Sequence, residues 1–277
     1  MLKILGCFKI VRDFEGITPS ELCDLRDGTL NLSVFRKIIG NYDEAALETA
    51  RRLADAIRSS DSCTLHAITV GSCDARFAKE LYAVGFDEVF CICPFSETAG
   101  SKSACTYTSE EVAGYLTQFI QSTGGYHAIL TGQQAWPDES GLMPYILAHR
   151  LDVPCLSQVT DLTWNNGFHV SIKNDRGILT CSINTPAVYM AGNTEHPYLK
   201  LATLQEKLKT GSRRLSVIQL SPASSVLDLG QSAKLLYEEP KHHCRFIEGA
   251  DTAEKAKILW EEVLDPCRTL RKQSTEE

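Results

Sequence analysis

The sequence lacks the short motifs that define a self-contained catalytic centre. It contains no G-x-G-x-x-G or G-x-x-x-x-G-K-[ST] phosphate loop, no G-x-S-x-G nucleophile elbow and no H-E-x-x-H metal motif. Its 11 cysteines include no C-x-x-C pair, and their spacing fits neither a secreted disulfide framework nor a metal site. A dinucleotide dehydrogenase, P-loop NTPase, serine hydrolase or zinc protease is therefore not supported, and we predict no catalytic and no metal-binding residue.

Long apolar runs and excess positive charge are also missing. No segment approaches the roughly 20 apolar residues that cross a bilayer, and the first residues lack the regions of a signal peptide. The net charge of -7, from 28 basic and 35 acidic residues, argues against nucleic acid, because a phosphate backbone needs a clustered positive surface. We therefore expect a cytoplasmic protein with no membrane span and no nucleic-acid partner.

Apolar runs of strand length alternate with segments of helical periodicity in the first half of the chain. Strands are predicted over residues 2–8, 63–70, 88–93 and 128–132. Helices are predicted after a cap at Asn41 or Asp43, over residues 74–84, and after the capping box Thr108-x-x-Glu111. This alternation predicts an α/β fold, built from right-handed βαβ units, with a mainly parallel sheet and helices on both faces.

The second half of the chain predicts antiparallel additions and an arm. Runs at 157–164 and 168–173 flank Asn165-Asn166-Gly167, which predicts a hairpin, and further strands are predicted at 178–183 and 187–190. The connection 9–38 is predicted to be irregular, the segment 192–222 is polar and basic, and 252–264 has the pattern of an amphipathic helix. We predict a nucleotide-binding α/β domain over residues 1–220 and a C-terminal arm over 221–277 that packs on a partner.

The strongest candidate site is the segment 128–143. A short apolar run ends there at Gly132, and a polar loop leads to Gly141 and a predicted helix. Strand, glycine turn and helix start, in this order, place free backbone N–H groups beside the carboxyl edge of a sheet, where open α/β sheets bind nucleotides and other anions. Most strand–loop–helix connections bind nothing, so these residues alone leave a nucleotide site and an ordinary connection both open.

Five segments in order resemble the β subunit of electron transfer flavoproteins. The first is an opening strand followed by Lys9, and the second is Gly40-Asn41-Tyr42-Asp43-Glu44-Ala45-Ala46-Leu47-Glu48-Thr49-Ala50, which is similar to the family's N-P-F/Y-D-E-x-A-L-E-x-A. The others are Val70-Gly71 with Ala83-Val84-Gly85-Phe86-Asp87, the Gly132 loop, and Thr185-Pro186-Ala187-Val188 with the basic segment after it. The resemblance covers residues 2–264.

The resemblance implies an electron carrier with the adenine-nucleotide-binding α/β fold, not a self-contained enzyme. A β subunit of this family pairs with an α subunit that holds FAD, and it binds either AMP or a second FAD itself. By position, the implied nucleotide contacts are Cys7, Gly40, Asn41, Tyr42, Asp43, Val70, Gly132, Gln133, Gln134, Ala135, Asp138, Ser140 and Gly141. Gly40-Asn41 in place of Asn-Pro, and a shorter Gly132 loop, depart from the family pattern and leave AMP and FAD both open.

The same resemblance implies contacts to partners. Phe14 and Tyr42 align with aromatic residues that lie against the α-subunit flavin. Leu204, Lys207 and Lys209 align with a segment that recognises a flavin-dependent dehydrogenase, of the acyl-CoA type. The expected function is to pass electrons between such dehydrogenases and an acceptor through a heterodimer. The alternative is a stand-alone adenine-nucleotide-binding module without a redox role, which would have no need of the C-terminal arm.

Overall fold

The computed structural model describes residues 1–13, 35–71, 74–94, 107–136, 139–221 and 246–265. The chain divides into two compact units, the first comprising Met1–Thr18 and Asn31–Ala233 and the second comprising Pro19–Leu30 and Lys234–Glu277. The first unit contains the sheet and the candidate site. The predicted boundary between the nucleotide-binding domain and the C-terminal arm, between residues 220 and 221, stays a prediction.

The first unit contains a nine-stranded sheet and a two-stranded sheet. The strands are, in chain order, β1 (Leu2–Cys7), β2 (Ile10–Arg12), β3 (Lys37–Ile39), β4 (Cys63–Val70), β5 (Glu88–Pro94), β6 (Ala128–Gly132), β7 (Cys155–Trp164), β8 (Phe168–Asn174), β9 (Gly177–Ile183), β10 (Ala187–Ala191) and β11 (Ser216–Leu220). The helices are α1 (Asn41–Arg58), α2 (Ala75–Ala83), α3 (Ser109–Ser122), α4 (Met143–Leu151) and α5 (Leu204–Lys209).

The nine-stranded sheet is parallel through most of its width. Its strand order is β11-β5-β4-β1-β6-β10-β7-β8-β9, and every neighbouring pair from β11 to β7 is parallel. β7, β8 and β9 then form an antiparallel meander. The first turn of the meander contains Asn166 at a φ of 52°, a left-handed conformation that asparagine tolerates well. The predicted α/β fold, with its mainly parallel sheet and antiparallel hairpin, is confirmed.

Helices cover both faces of the sheet because strand residues alternate between two apolar cores. Ile4 of β1 faces a core shared with α1 and α2, whereas Leu5 faces a core shared with α3 and α4. Apolar residues at helical spacing form the buried stripe of α1, namely Ala46, Leu47, Ala50, Leu53, Ala54 and Ile57. Gly6 allows α1 to approach β1 closely, since a Cβ there would lie 2.8 Å from Cδ2 of Leu47.

One helix cap and three short strands differ from the sequence predictions. α1 begins at Asn41 after Gly40, and no side chain caps it, so the predicted cap by Asn41 or Asp43 is wrong. The capping box of Thr108 and Glu111 is confirmed at the start of α3. β2 pairs with β3 inside the connection predicted to be irregular. β11, which extends the sheet beyond β5, lies in a segment where the sequence pattern predicts no strand.

Five cysteines in the described part of the chain are not disulfide-bonded, namely Cys7, Cys63, Cys93, Cys155 and Cys181. Cys91 is disulfide-bonded.

The described residues of the second unit, 246–265, contain one helix. α6 (Thr252–Leu259) continues into a π-helical turn (Trp260–Leu264), in agreement with the predicted helix. The Asp251 side chain caps α6 by accepting a hydrogen bond from the N–H of Glu254. The large apolar side chains of this helix, Leu259, Trp260, Val263 and Leu264, are between 37% and 50% exposed. Within the described ranges, no helix has the length and apolarity that a membrane span requires.

Candidate functional site

The order of strands reverses direction between β1 and β6. From β1 the chain passes through α1 to β4 and β5 on one side, and it then returns through α3 to β6 on the other side of β1. Cys7 and Gly132 are the last residues of these two neighbouring strands. At such a reversal, open α/β sheets have a crevice outside the carboxyl ends of the strands, and ligands bind there. The predicted contacts Cys7 and Gly132 therefore flank one crevice.

One buried carboxylate ties together the chain on both sides of this crevice. Asp43, in the first turn of α1, accepts a hydrogen bond from the N–H of Lys9 at 2.8 Å through Oδ2. Through Oδ1 it accepts a hydrogen bond from the N–H of Gly132 at 3.1 Å. Lys9 follows β1 and Gly132 ends β6, and Asp43 is only 6% exposed. The carboxylate therefore fixes the relative position of the two chain segments that frame the crevice.

The first turn of α1 also lies directly against Gly132. A Cβ at residue 132 would lie 2.9 Å from the backbone nitrogen of Asp43 and 2.9 Å from the carbonyl carbon of Tyr42. These neighbours are backbone atoms, so a larger residue fits only if the helix moves. Glycine is required here by the close packing of α1 on the end of β6.

Burial shifts the protonation equilibria of both acidic groups at the crevice. Removal from water raises the pKa of Asp43 to about 7, against the opposing effects of the N–H groups of Lys9 and Gly132 and the charge of Lys9. Burial and the nearby Asp43 carboxylate raise the pKa of the Cys7 thiol well above its usual range. Cys7 therefore remains a neutral thiol, and it contributes a small apolar surface instead of a reactive thiolate.

The loop after β6 runs along the edge of the crevice. The N–H of Gln133 donates to the carbonyl oxygen of Ala191 at 3.1 Å, which continues the pairing of β6 with β10. Further along, the N–H of Glu139 donates to the carbonyl oxygen of Ala135 at 3.1 Å. The loop is therefore held by backbone hydrogen bonds both where it leaves the sheet and at its far side.

The end of this loop meets two helix starts. Oγ of Ser140 lies 3.2 Å from Oγ of Ser109, in the first turn of α3. Gly141 has a φ of 63°, and a Cβ there would lie 2.9 Å from the carbonyl oxygen of Gln133. The left-handed conformation and the close contact both require glycine. The loop thus closes on itself just before α4, and it brings the starts of α3 and α4 to the same edge of the sheet.

The other predicted nucleotide contacts surround the same edge. Gly40 immediately precedes α1, Asn41 is exposed and Tyr42 half-buried in its first turn, and Val70 ends β4. Gln134 and Ala135 are half-buried in the loop. Phe14 and Asp138 lie outside the described residues. The structure brings the described members of the set together, and their ligand contacts stay predictions.

A bulge in β7 adds residues that the sequence pattern does not reveal. The register of β7 against β10 shifts between Tyr189 and Ala191, where Gln158 adopts a φ of 56°. A Cβ at Gly192 would lie 3.1 Å from Oε1 of Gln158 and 3.2 Å from Oε1 of Gln133. Both glutamine side chains therefore lie close to Gly192, just after the end of β10. A bulge depends on pairing between distant strands, so no local signal predicts it.

The predicted partner-recognition residues lie on a separate, ordered surface. Lys207 and Lys209 are exposed on the short helix α5. Its start has a capping box, in which Glu206 accepts from the N–H of Thr203 at 2.7 Å. Large apolar side chains project from this segment into solvent, with Leu201 91%, Leu204 75% and Leu208 73% exposed. The segment thus presents an apolar surface beside positive charge.

A second buried carboxylate attaches this surface to α1. Glu48 is 5% exposed and accepts from the Arg51 guanidinium at 2.6 and 2.9 Å. Its Oε2 also accepts from the N–H of Lys200 at 3.0 Å. Burial alone would raise the pKa of Glu48, but these hydrogen bonds and the Arg51 charge lower it below its ordinary value. The carboxylate is therefore ionised at neutral pH and holds the start of the exposed segment.

The fold and the crevice together define an α/β protein with a candidate ligand site at the topological switch point of its sheet. A sequence model of the electron transfer flavoprotein domain matches residues 35–197, which include α1, the Gly132 loop and β10. A protein of Escherichia coli (strain K12) with the name "Putative electron transfer flavoprotein subunit YgcR" is 26% identical over 260 residues, and the match covers 91% of this chain and 94% of that protein. The chain belongs to the electron transfer flavoprotein family.

Proposed function

We propose that the chain is the β-type subunit of a heterodimeric electron transfer flavoprotein, which passes electrons between flavin-dependent dehydrogenases and an acceptor. The observation that carries the proposal is the crevice between β1 and β6, framed by Asp43 and Gly132. Both residues belong to segments that resemble β-subunit motifs, and the match to the Escherichia coli subunit extends over almost the whole chain. No acid–base residue is needed in this chain, because electron transfer requires only that redox groups be held close together.

We further propose that the crevice binds an adenine nucleotide, either AMP or a second FAD, while the main FAD lies on the α-type partner. Residues at the starts of α1 and α4 would approach the phosphates through backbone N–H groups. Cys7 would leave room for a flat base, because its side chain is small and neutral. The protein's contribution is to bind and orient these groups, while FAD supplies the redox chemistry when bound.

The second unit and the exposed segment near α5 supply the proposed partner contacts. The four large apolar side chains of the helix at 252–264 are each more than a third exposed, which suits an arm that packs on the α-type subunit. Leu204, Lys207 and Lys209 would contact a flavin-dependent dehydrogenase of the acyl-CoA type. An apolar anchor surrounded by positive charge fits an acidic docking surface.

Co-expression with the α-type subunit tests this proposal. We expect a yellow heterodimer, and extraction with acid followed by chromatography gives the FAD and AMP bound per heterodimer. Two FAD indicate a second flavin in the crevice, one FAD with one AMP indicates the plain carrier, and one FAD alone indicates an altered crevice. If the chain is stable alone, binds AMP by itself and does not associate with the α-type subunit, it is instead a stand-alone nucleotide-binding module.

A pair of variants separates the arm from general folding effects. Trp260→Glu places a charge on the apolar side chain that is 50% exposed, and we expect it to abolish co-purification of the α-type subunit. Lys257→Glu is the matched control, since it changes a side chain of the same helix that is 72% exposed and makes only a 3.9 Å ion pair with Glu261. Equal recovery of the heterodimer with both variants would rule out the arm as a subunit contact.

A further inference from the structure

The Asp43 carboxyl bridges the two segments that frame the crevice, and it belongs to a helix start that would approach the phosphates. Its oxygens accept hydrogen bonds from the N–H groups of Lys9, just after β1, and Gly132, the last residue of β6. The first N–H groups of α1 have no partner within the helix, and this first turn lies directly against Gly132. A phosphate bound to them would therefore lie within roughly one helical pitch of the Asp43 carboxyl.

The charge of this carboxyl decides whether a phosphate can lie so close. Two anions in a site shielded from water repel each other strongly. A neutral carboxyl lacks this repulsion, and its hydroxyl can donate a hydrogen bond to a phosphate oxygen. Phosphate binding at the start of α1 therefore favours the protonated form of Asp43.

Groups on three elements set the protonation of Asp43. Burial, opposed by two backbone N–H groups and the charge of Lys9, raises the pKa of Asp43 to about 7. Cys7, at the end of β1, stays a neutral thiol and adds no charge, and β6 contributes the uncharged N–H of its last residue. On α1 the next carboxyl is Glu44, whose pKa is raised by burial and by the charge of Glu80 on α2. Both forms of Asp43 are therefore populated near neutral pH.

We propose that Asp43 couples phosphate binding in the crevice to the uptake of one proton, an inference that rests on the proposed nucleotide site. The protonated carboxyl keeps one oxygen as a full acceptor for a backbone N–H, and its hydroxyl donates to the phosphate. The ionised carboxyl holds both N–H groups and repels the phosphate. One proton is therefore taken from solvent for each AMP or FAD that enters while Asp43 is ionised. Adenosine, which lacks the phosphate, is bound without proton uptake.

Calorimetric titration of the full chain with AMP, after removal of bound nucleotide, tests the coupling at pH 7 and pH 8 in two buffers of different ionisation enthalpy. We expect the Kd for AMP to rise about fivefold between these pH values, because the protonated fraction of Asp43 falls from about a half to about a tenth. The buffer dependence of the binding heat should give close to one proton taken up per AMP at pH 8. The charge of AMP itself hardly changes over this range, since its phosphate ionises at about pH 6. Adenosine should show neither effect.

Two variants assign the proton to one carboxyl. Asp43→Asn should bind AMP with the same affinity at pH 7 and pH 8 and without proton uptake. Comparing the two pH values within one variant cancels any uniform loss of affinity caused by the changed hydrogen bonds. Glu44→Gln is the matched control, because it changes the neighbouring half-buried carboxyl in the same turn of α1, and it should keep the pH dependence of the wild type.

These titrations distinguish failure of the coupling from failure of the nucleotide site. A wild type with equal AMP affinity at both pH values and no proton uptake overturns the coupling alone. Proton uptake that persists in Asp43→Asn, is lost in Glu44→Gln or accompanies adenosine equally overturns it as well. The last two results do not depend on Asp43→Asn, so they decide the matter if that variant fails to fold. Absence of AMP, FAD and adenosine binding in the wild type overturns the nucleotide site itself.

Discussion

The Asp43 carboxyl should make the stability of the folded chain depend on pH in an unusual direction. Its pKa is 3.8 in the absence of the fold and about 7 in the folded chain. Between these two values the folded chain binds a proton that the unfolded chain has lost. The free energy of unfolding therefore falls as pH rises through this window. Below pH 4 the contribution of Asp43 is fully present, and above pH 7 it is lost.

The magnitude follows from the difference of about three pH units. Each unit corresponds to about 1.4 kcal/mol, so ionisation of Asp43 lowers the free energy of unfolding by about 4 kcal/mol across the window. Asp43→Asn cannot ionise, but its amide nitrogen cannot accept one of the two hydrogen bonds from the N–H groups of Lys9 and Gly132. The variant should therefore be less stable than the wild type near pH 4, and this difference should shrink progressively up to pH 7, because only the wild type loses stability across the window.

Urea unfolding of the full chain at fixed protein concentration, repeated every half pH unit from 4 to 8, measures this difference. Asp55→Asn is the control, because Asp55 lies on the same helix with a side chain that is 55% exposed, and the pH slope of the wild type should persist in that variant. Parallel curves for the wild type and Asp43→Asn would refute the reasoning. They would mean that the N–H groups of Lys9 and Gly132 stabilise the charged form as strongly as burial disfavours it.

Two further substitutions test the packing of α1 at each of its attachments. Gly132→Ala forces a Cβ against the backbone of α1 and should cost about 1–3 kcal/mol in urea unfolding, whereas Gly211→Ala, whose Cβ would find its nearest atoms at 3.5 Å, should be near neutral. Glu48→Ala removes the acceptor of the Lys200 N–H, and hydrogen exchange of that amide should accelerate on the order of tenfold. Unchanged exchange at Lys200 would show that the segment is held by other contacts.

The regular elements were predictable because each rests on local pattern. Apolar runs of strand length and the capping box of Thr108 and Glu111 act over a few residues, and both are confirmed. β11 shows where local pattern is insufficient to predict a strand. It is a short edge strand with only partial burial, and it follows a basic segment, so its apolar alternation is weak. Its pairing with β5, more than 100 residues earlier, is what makes it a strand.

The sequence predicts which strand ends meet at the candidate site, but it does not predict the contacts between them. Strand ends and glycine turns mark the edge where β1 and β6 meet, and the fold brings these ends together. The sequence pattern assigns Asp43 to a helix cap, however, whereas its carboxylate bonds to Gly132, 89 residues away. A local rule cannot anticipate a partner at that separation.

The two buried carboxylates of α1 give that helix a role beyond covering the sheet. Asp43 attaches its first turn to the crevice, and Glu48 attaches its second turn to the segment that begins at Lys200. The two residues are five positions apart on a hydrogen-bonded helix, so the separation of their attachment points changes little. The proposed nucleotide site and docking surface are therefore held at a fixed distance by one element. For a protein that transfers electrons, this matters more than a reactive side chain would, since the transfer depends on how closely the redox groups are held.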